Sequence, residues 1–263
     1  MIKALFTSST GMNAQSTALD NTANNLANVN TNGFKRGETT FQDLVYVTAQ
    51  APGATAAQGL ELPTGLQVGS GARVSGIAKT FTQGGLVATQ NPFDIAIEGQ
   101  GFIQVLLPNG ELRYTRDGAL RVNATGTLVT TDGFLISPQI TIPASATQVT
   151  IGTDGTVSAI NAGATNATTV LGQITLTRFL NPSGLLAEGR NLLAETASSG
   201  PPIIATPGQN GVGFVQQGFL ERSNVDVVTE LVSLIITQRA YEFNTRAIRT
   251  ADNMLSATTE LIR

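Results

Sequence analysis

Five carboxylates sit at or beside glycine-containing turns: Glu98, Glu111, Asp117, Asp132 and Asp154. Two carboxyl groups facing each other across a groove could act as acid and base on a glycosidic bond. Here the turns already explain them. Asn109-Gly110, Asp117-Gly118, Asp132-Gly133 and Asp154-Gly155 are hairpin signals between short apolar runs. The Gly-x-Gly pieces, Gly69-Ser70-Gly71 and Gly99-Gln100-Gly101, do not lead into helical patterns, so they carry no phosphate-binding loop. No Asp-x-Asp-x-Asp-Gly spacing for calcium occurs. The chain has no Cys, His or Trp, which removes the usual zinc sets, Ser-His-Asp triads and thiolate nucleophiles together. The expectation is a non-enzyme with no catalytic residue, metal or cofactor.

Other polar residues invite a different reading. Lys35-Arg36 is a small basic spot after Gly33-Phe34 and reads as a solvated junction. A net charge of −3 gives no field for nucleic acid. Asn21, Asn24, Asn25, Asn28, Asn30 and Asn32 crowd the end of a helical pattern that Asn disfavours. An amide donates and accepts at once, so stacked neighbours could exchange such bonds without burying charge.

The elements that position these residues fall into two materials. All ten prolines lie between Pro52 and Pro207, and the last glycine is Gly218, so nothing interrupts a helix from Phe219 to Arg263. Val227, Leu234, Tyr241, Ile248, Leu255 and Ile262 recur every seven residues, flanked by Ala240, Ala247, Ala251, Met254 and Leu261. Ser223 is the expected N-cap, with Asp226 as its capping-box partner. At the other end Leu5, Met12, Leu19 and Leu26 keep the same spacing, and Gly33 is the expected C′ residue. The small register Ile2, Ser9, Ser16, Ala23 would let another helix approach closely. Each stripe alone reads equally as an ordinary core-facing helix; two on remote ends point to assembly, with ends expected to be weakly ordered in a monomer and to become rigid against several neighbours.

Between the ends the pattern is β. Phe93, Ile95 and Ile97 alternate with Asp94, Ala96 and Glu98. The 51–71 segment, rich in Ala, Gly, Gln and Pro, reads as a long extended loop or irregular hairpin. The fold class is α+β: a mainly-β central domain flanked by N- and C-terminal α-helices that pair as a coiled coil. The expected divisions are 1–34, 35–79, 80–218 and 219–263. Charged residues are only 13% of the chain, which suits a surface covered by partners. The N-terminal residues do not form a secretory leader, and no run approaches a membrane span, so no membrane insertion is expected.

Longer motifs carry a resemblance. The run from Ala23-Asn24-Asn25-Leu26 to Asn32-Gly33-Phe34-Lys35-Arg36 resembles the N-terminal signature of bacterial flagellar rod and hook proteins. Asp94-Ile95-Ala96-Ile97-Glu98-Gly99-Gln100-Gly101-Phe102 resembles the family's central signature, and Tyr114-Thr115-Arg116-Asp117-Gly118 its next hairpin. Ser223-Asn224-Val225-Asp226, Glu230-Leu231-Val232, Gln238-Arg239-Ala240-Tyr241-Glu242 and Ala251-Asp252-Asn253-Met254-Leu255 are similar to its C-terminal helix.

The resemblance implies a structural subunit of a helical homopolymer, a hollow drive shaft carrying torque from motor to hook. The implied polymer interface is Leu5, Met12, Leu19, Leu26, Asn24, Asn25, Asn28, Val227, Leu234, Tyr241, Ile248, Leu255 and Ile262. The likeness is nearest to subunits of the distal part of the rod. It implies that the segment holding Tyr46, Pro52, Pro63, Gly65 and Gly69 contacts neighbouring subunits and stiffens the shaft. Phe41 and Val45 resemble a motif read by the export gate, and read equally well as part of a core strand. The implied partners are other copies, proximal rod and hook proteins, periplasmic and outer-membrane ring proteins, and the flagellar type III export apparatus. The implied location is the basal-body rod spanning the periplasm, reached without a cleaved signal peptide. A proximal rod or hook-type axial protein is the alternative within the family. A secreted β-rich enzyme or adhesin is the alternative outside it.

Overall fold

The computed structural model describes residues 2–53, 55–57, 60–61, 64–161 and 168–261. Pro63 and Ile262 lie outside the described residues. Two compact units emerge. A helix–ribbon unit comprises residues 1–27, 37–78 and 226–263, and a β unit comprises 28–36 and 79–225. The helices flanking a β-rich centre make the chain α+β.

In the helix–ribbon unit, helix α1 runs Ile2–Ala27 and helix α2 Val227–Leu261. Helix α1 carries Asn21, Asn24 and Asn25 and stops at Ala27, six residues ahead of Gly33, where Asn28, Asn30, Thr31 and Asn32 favour turns over further helix. Thr31 accordingly donates its N–H to the Asn28 carbonyl at 3.1 Å. Helix α2 is capped by Asp226, whose Oδ1 accepts the Thr229 N–H at 2.7 Å. The expected cap, Ser223, instead accepts the Val225 N–H at 3.3 Å. The chain is still committed to β pairing through Glu221, which delays the helix by a turn.

The two helices run antiparallel: Asn25 meets Glu230, and Met12 meets Thr245. Their seam is small and polar rather than leucine-rich. Ala14, Ala18, Thr22 and Asn25 of α1 are buried, as are Glu230, Thr237 and Ala251 of α2. A Cβ on Gly11 would lie 3.0 Å from the Asn244 amide, so glycine allows this close approach. Of the small register on α1, Ser9 is half-buried and Ser16 and Ala23 are exposed.

A long two-stranded ribbon completes this unit. Gly37–Asp43 pairs with Ala72–Lys79, Tyr46–Gln50 with Leu66–Gly69, and Thr55–Ala57 with Leu60–Glu61. Where it is described, the segment expected as a loop or irregular hairpin pairs as an antiparallel ribbon, with a register shift between Thr48 and Gln50. Asn21 and Asn25 anchor its base, each donating to the Gly37 carbonyl, at 2.8 and 2.9 Å.

The β unit is built on Phe102–Leu106, which pairs with Leu112–Thr115, Leu135–Ser137 and Leu176–Arg178 within a nine-stranded sheet. Ala146–Ile151, Thr156–Asn161 and Thr168–Gln173 form a separate three-stranded sheet. Strand alternation sends Ile103 into a core with Ile95, Ile97, Leu120, Leu128, Ile136 and Leu176. Phe102 goes to the other face, into an aromatic cluster where Tyr114 and Phe179 meet edge-on at 4.7 Å. Asp132-Gly133 and Asp154-Gly155 make hairpin turns with Gly133 and Gly155 at positive φ. Asp117-Gly118 does not. Gly118 lies flat against the Ile95 backbone, where any Cβ would collide with the carbonyl oxygen, and it accepts the Ile95 N–H at 3.0 Å.

Candidate assembly interface

The helical line singled out by its seven-residue spacing divides in the structure. Leu234, Ile248 and Leu255 are half-buried, while Val227 and Tyr241 are 40% and 45% exposed. On α1, Leu5, Met12, Leu19 and Leu26 are half-buried. The asparagines divide too. Asn25 is buried: its Oδ1 accepts the Gly37 N–H at 2.9 Å, and its amide donates to Glu230 at 3.3 Å. Asn28 is half-buried and Asn24 exposed.

Sequence reasoning missed a second line on α2. Val228, Leu231, Val232, Ile235 and Ile236 are all exposed, from 43% to 70%. Their spacing is i, i+3, i+4, i+7, i+8, so at 100° per residue they form one stripe. That stripe lies opposite the residues buried against α1. The signal was present in the sequence, but a search for strict seven-residue spacing passes over it. Phe243 extends the stripe, at 63% exposed. Five large aliphatic side chains in water on the first turns of a helix are costly for a free molecule, at about 1.5–3 kcal/mol of unused burial each.

The ribbon has the same character. Every residue of Tyr46–Gln50 is exposed. Val47 and Val68 face each other across the ladder and are both exposed, as is Leu66. From Leu44 to Ala72 the only charged residue is Glu61. Natural proteins guard exposed strand edges with charge, and a lone hairpin is marginal in water. The residues expected to stiffen this segment touch in pairs. The Tyr46 ring lies over Gly69, and a Cβ on Gly65 would sit 2.6 Å from the Pro52 ring. Phe41 and Val45 are exposed, Val45 by 81%.

Three of the five acids at the turns are held by nearby polar groups. Glu111 pairs with Arg113 at 2.7 Å, and Asp154 accepts the Thr156 hydroxyl at 2.6 Å. Glu98 accepts the Gln216 amide at 2.5 Å. The Asp117 carboxyl is pushed up, first by burial and further by the charges of Asp94 and Asp132, and it accepts the Ala119 N–H. No helix among the described residues is long and apolar enough to cross a membrane.

Lys35 corrects an expectation. It is not at a solvated junction but 3% exposed, with its Nζ 2.6 Å from Oε1 of Glu221. The Arg116 Nε holds the other carboxylate oxygen at 2.6 Å. Burial pushes the Glu221 carboxyl up, but Arg116 and Lys35 together outweigh it and leave it below the ordinary range. Burial also lowers Lys35, against the pull of Glu221.

Comparison with known proteins matches three stretches of the chain. Residues 5–35 match the family described as Flagella basal body rod protein. Residues 96–159 match the Flagellar hook protein FlgE/F/G D1 domain, and residues 216–261 the Flagellar basal body rod FlgEFG protein C-terminal. The chain is 46% identical over 261 residues to the Flagellar basal-body rod protein FlgG of Buchnera aphidicola from Acyrthosiphon pisum, covering 99% of this chain and 100% of the relative. It is 46% identical to the protein of the same name in Caulobacter vibrioides, with 99% of each covered. The Bacillus subtilis protein of that name is 36% identical over the full length of both.

Proposed function

The chain belongs to the flagellar basal-body rod protein family, and from that premise we propose that it polymerises into the distal rod, a hollow shaft transmitting torque from motor to hook. It is a structural subunit, not an enzyme. The observation that carries the proposal is the exposed stripe Val228, Leu231, Val232, Ile235 and Ile236 on α2. Helices that keep a small, polar seam inside one molecule and an aliphatic stripe outside are suited to pack against other copies. In the polymer they form an inner coiled-coil tube. Leu5, Met12, Leu19, Leu26, Leu234, Ile248 and Leu255 steady each pair, and Val227 and Tyr241 join the contact between copies. The charge-poor ribbon lies against neighbouring subunits, where Tyr46, Pro52, Gly65 and Gly69 stiffen it. The β unit forms the outer wall.

The same reading places proximal rod and hook proteins at the two ends of the shaft, and the periplasmic and outer-membrane rings around it. It brings the subunit to its site through the flagellar type III export apparatus. The exposure of Phe41 and Val45 supports their reading by the export gate over a place in a core strand.

Ile235→Asp tests the proposal. It puts a charge in the middle of the stripe without touching the α1 seam. Concentrated wild-type protein should form straight tubes in electron micrographs. The variant should form none, with unchanged melting of the β unit. Tubes of normal length from Ile235→Asp would refute the assignment of the stripe.

A further inference from the structure

The covalent chain passes between the helix–ribbon unit and the β unit at four points: after Ala27, Arg36, Ala78 and Val225. On the β side these crossings belong to three segments, 28–36, 79–85 and 219–225, and one cluster ties all three. The Glu221 carboxylate is 1% exposed. It takes Lys35 from the first segment at 2.6 Å and the Gly84 N–H from the second at 2.9 Å. Its other oxygen takes Arg116 at 2.6 Å. Lys35 continues to the Thr82 carbonyl at 2.7 Å, and Arg116 to the carbonyls of Gly99 and Gly101 at 2.6 and 2.5 Å.

Asn224 repeats the pattern one turn of chain later. Its Oδ1 accepts the Arg36 N–H at 2.7 Å, and its amide donates to the Thr80 carbonyl at 2.8 Å. Backbone bonds close the set: Gly33 N–H to the Glu221 carbonyl at 2.8 Å, Thr80 N–H to the Arg36 carbonyl at 2.9 Å, and Arg222 N–H to the Gly85 carbonyl at 2.9 Å. Gly33 is required here twice over. Its φ is +68°, and a Cβ would meet the Arg116 backbone at 2.7 Å.

Buried charge of this kind is a poor way to add stability, since apolar side chains of the same volume would often serve as well. What it adds is direction. A carboxylate holding an ammonium, a guanidinium and an amide from three separate stretches fixes their mutual orientation, whereas apolar contacts can slide. We infer that Glu221, with Lys35, Arg116 and Asn224, is a positioning cluster. It binds the segments leading to the helix–ribbon unit into one stiff root, so that twist entering along those segments is delivered to the β unit as a whole. The torque in this statement rests on the rod reading; the stiffness of the root does not.

Glu221→Gln keeps the shape and removes the charge. Amide hydrogen exchange on the purified full chain should rise about tenfold or more at 28–36, 79–85 and 219–225 while Phe102–Leu106 stays as protected as before. An equal rise in all these segments would reduce the cluster to general stabilisation, and no rise would remove it altogether; either result overturns the inference. If Glu221→Gln does not fold, Lys35→Met leaves Glu221 paired with Arg116 and carries the same test. In cells, Glu221→Gln should give hook–basal bodies in normal number but a loss of swimming speed that deepens as medium viscosity rises. Parental speed at every viscosity would overturn the delivery of twist. Absence of this chain from isolated hook–basal bodies would overturn the rod reading and leave the exchange result standing.

Discussion

The β unit and the helix–ribbon unit solve opposite problems with the same alphabet. In the β unit Ile103, Val105, Leu120, Leu128 and Leu176 are all but sealed from water, and even its buried charges have partners on several sides. In the helix–ribbon unit the buried residues are small or polar, such as Ala14, Thr22, Asn25 and Glu230. Several large aliphatic residues there, Val228, Ile235, Ile236 and Leu66 among them, are exposed. The β unit holds its core within a single chain, and on the proposed reading neighbouring copies complete the other unit. On that reading, a subunit can add to a growing end without refolding its β unit.

Perturbing the two units should therefore give separable results. The largest effect on stability is expected from Ile103→Ala, which opens a cavity in the β core and should cost about 2–5 kcal/mol in denaturant unfolding of that unit. Tubes should still form at low temperature, in contrast to Ile235→Asp. Loss of tubes with a fully folded β unit would tie the core to assembly and blur the comparison. A smaller effect concerns acid. The folded Glu221 carboxyl is held below its ordinary value, so its stabilisation is present above the unfolded-chain value of about 4.3 and is lost as pH falls through the folded one. The β unit should melt at lower temperature below about pH 4, and Glu221→Gln should flatten that slope. An acid slope that Glu221→Gln leaves unchanged would contradict the assignment.

The helices were legible in the sequence because their signals are local. Gly and Pro are missing after Gly218, and apolar residues recur at helical spacing. The turns at Asp132-Gly133 and Asp154-Gly155 were legible for the same reason. The misreadings involve partners far away along the chain. Lys35 looked solvated because the carboxylate that buries it lies 186 residues on. Asp117-Gly118 looked like a hairpin because nothing nearby shows that Gly118 must lie against Ile95. The division of the α2 apolar residues into an inner and an outer stripe needed the position of α1, which fixes Leu234 inward and Ile235 outward.

Hydrogen exchange of the free subunit against that of assembled tubes tests the division of labour most directly. Assembly should add strong protection to the ribbon strands Tyr46–Gln50 and Leu66–Gly69 and to Val228–Ile236 of α2, and leave Phe102–Leu106 unchanged. If the ribbon and the outer stripe of α2 are already as protected in the dilute subunit as the central strand, the helix–ribbon unit is complete in one chain and the account is wrong.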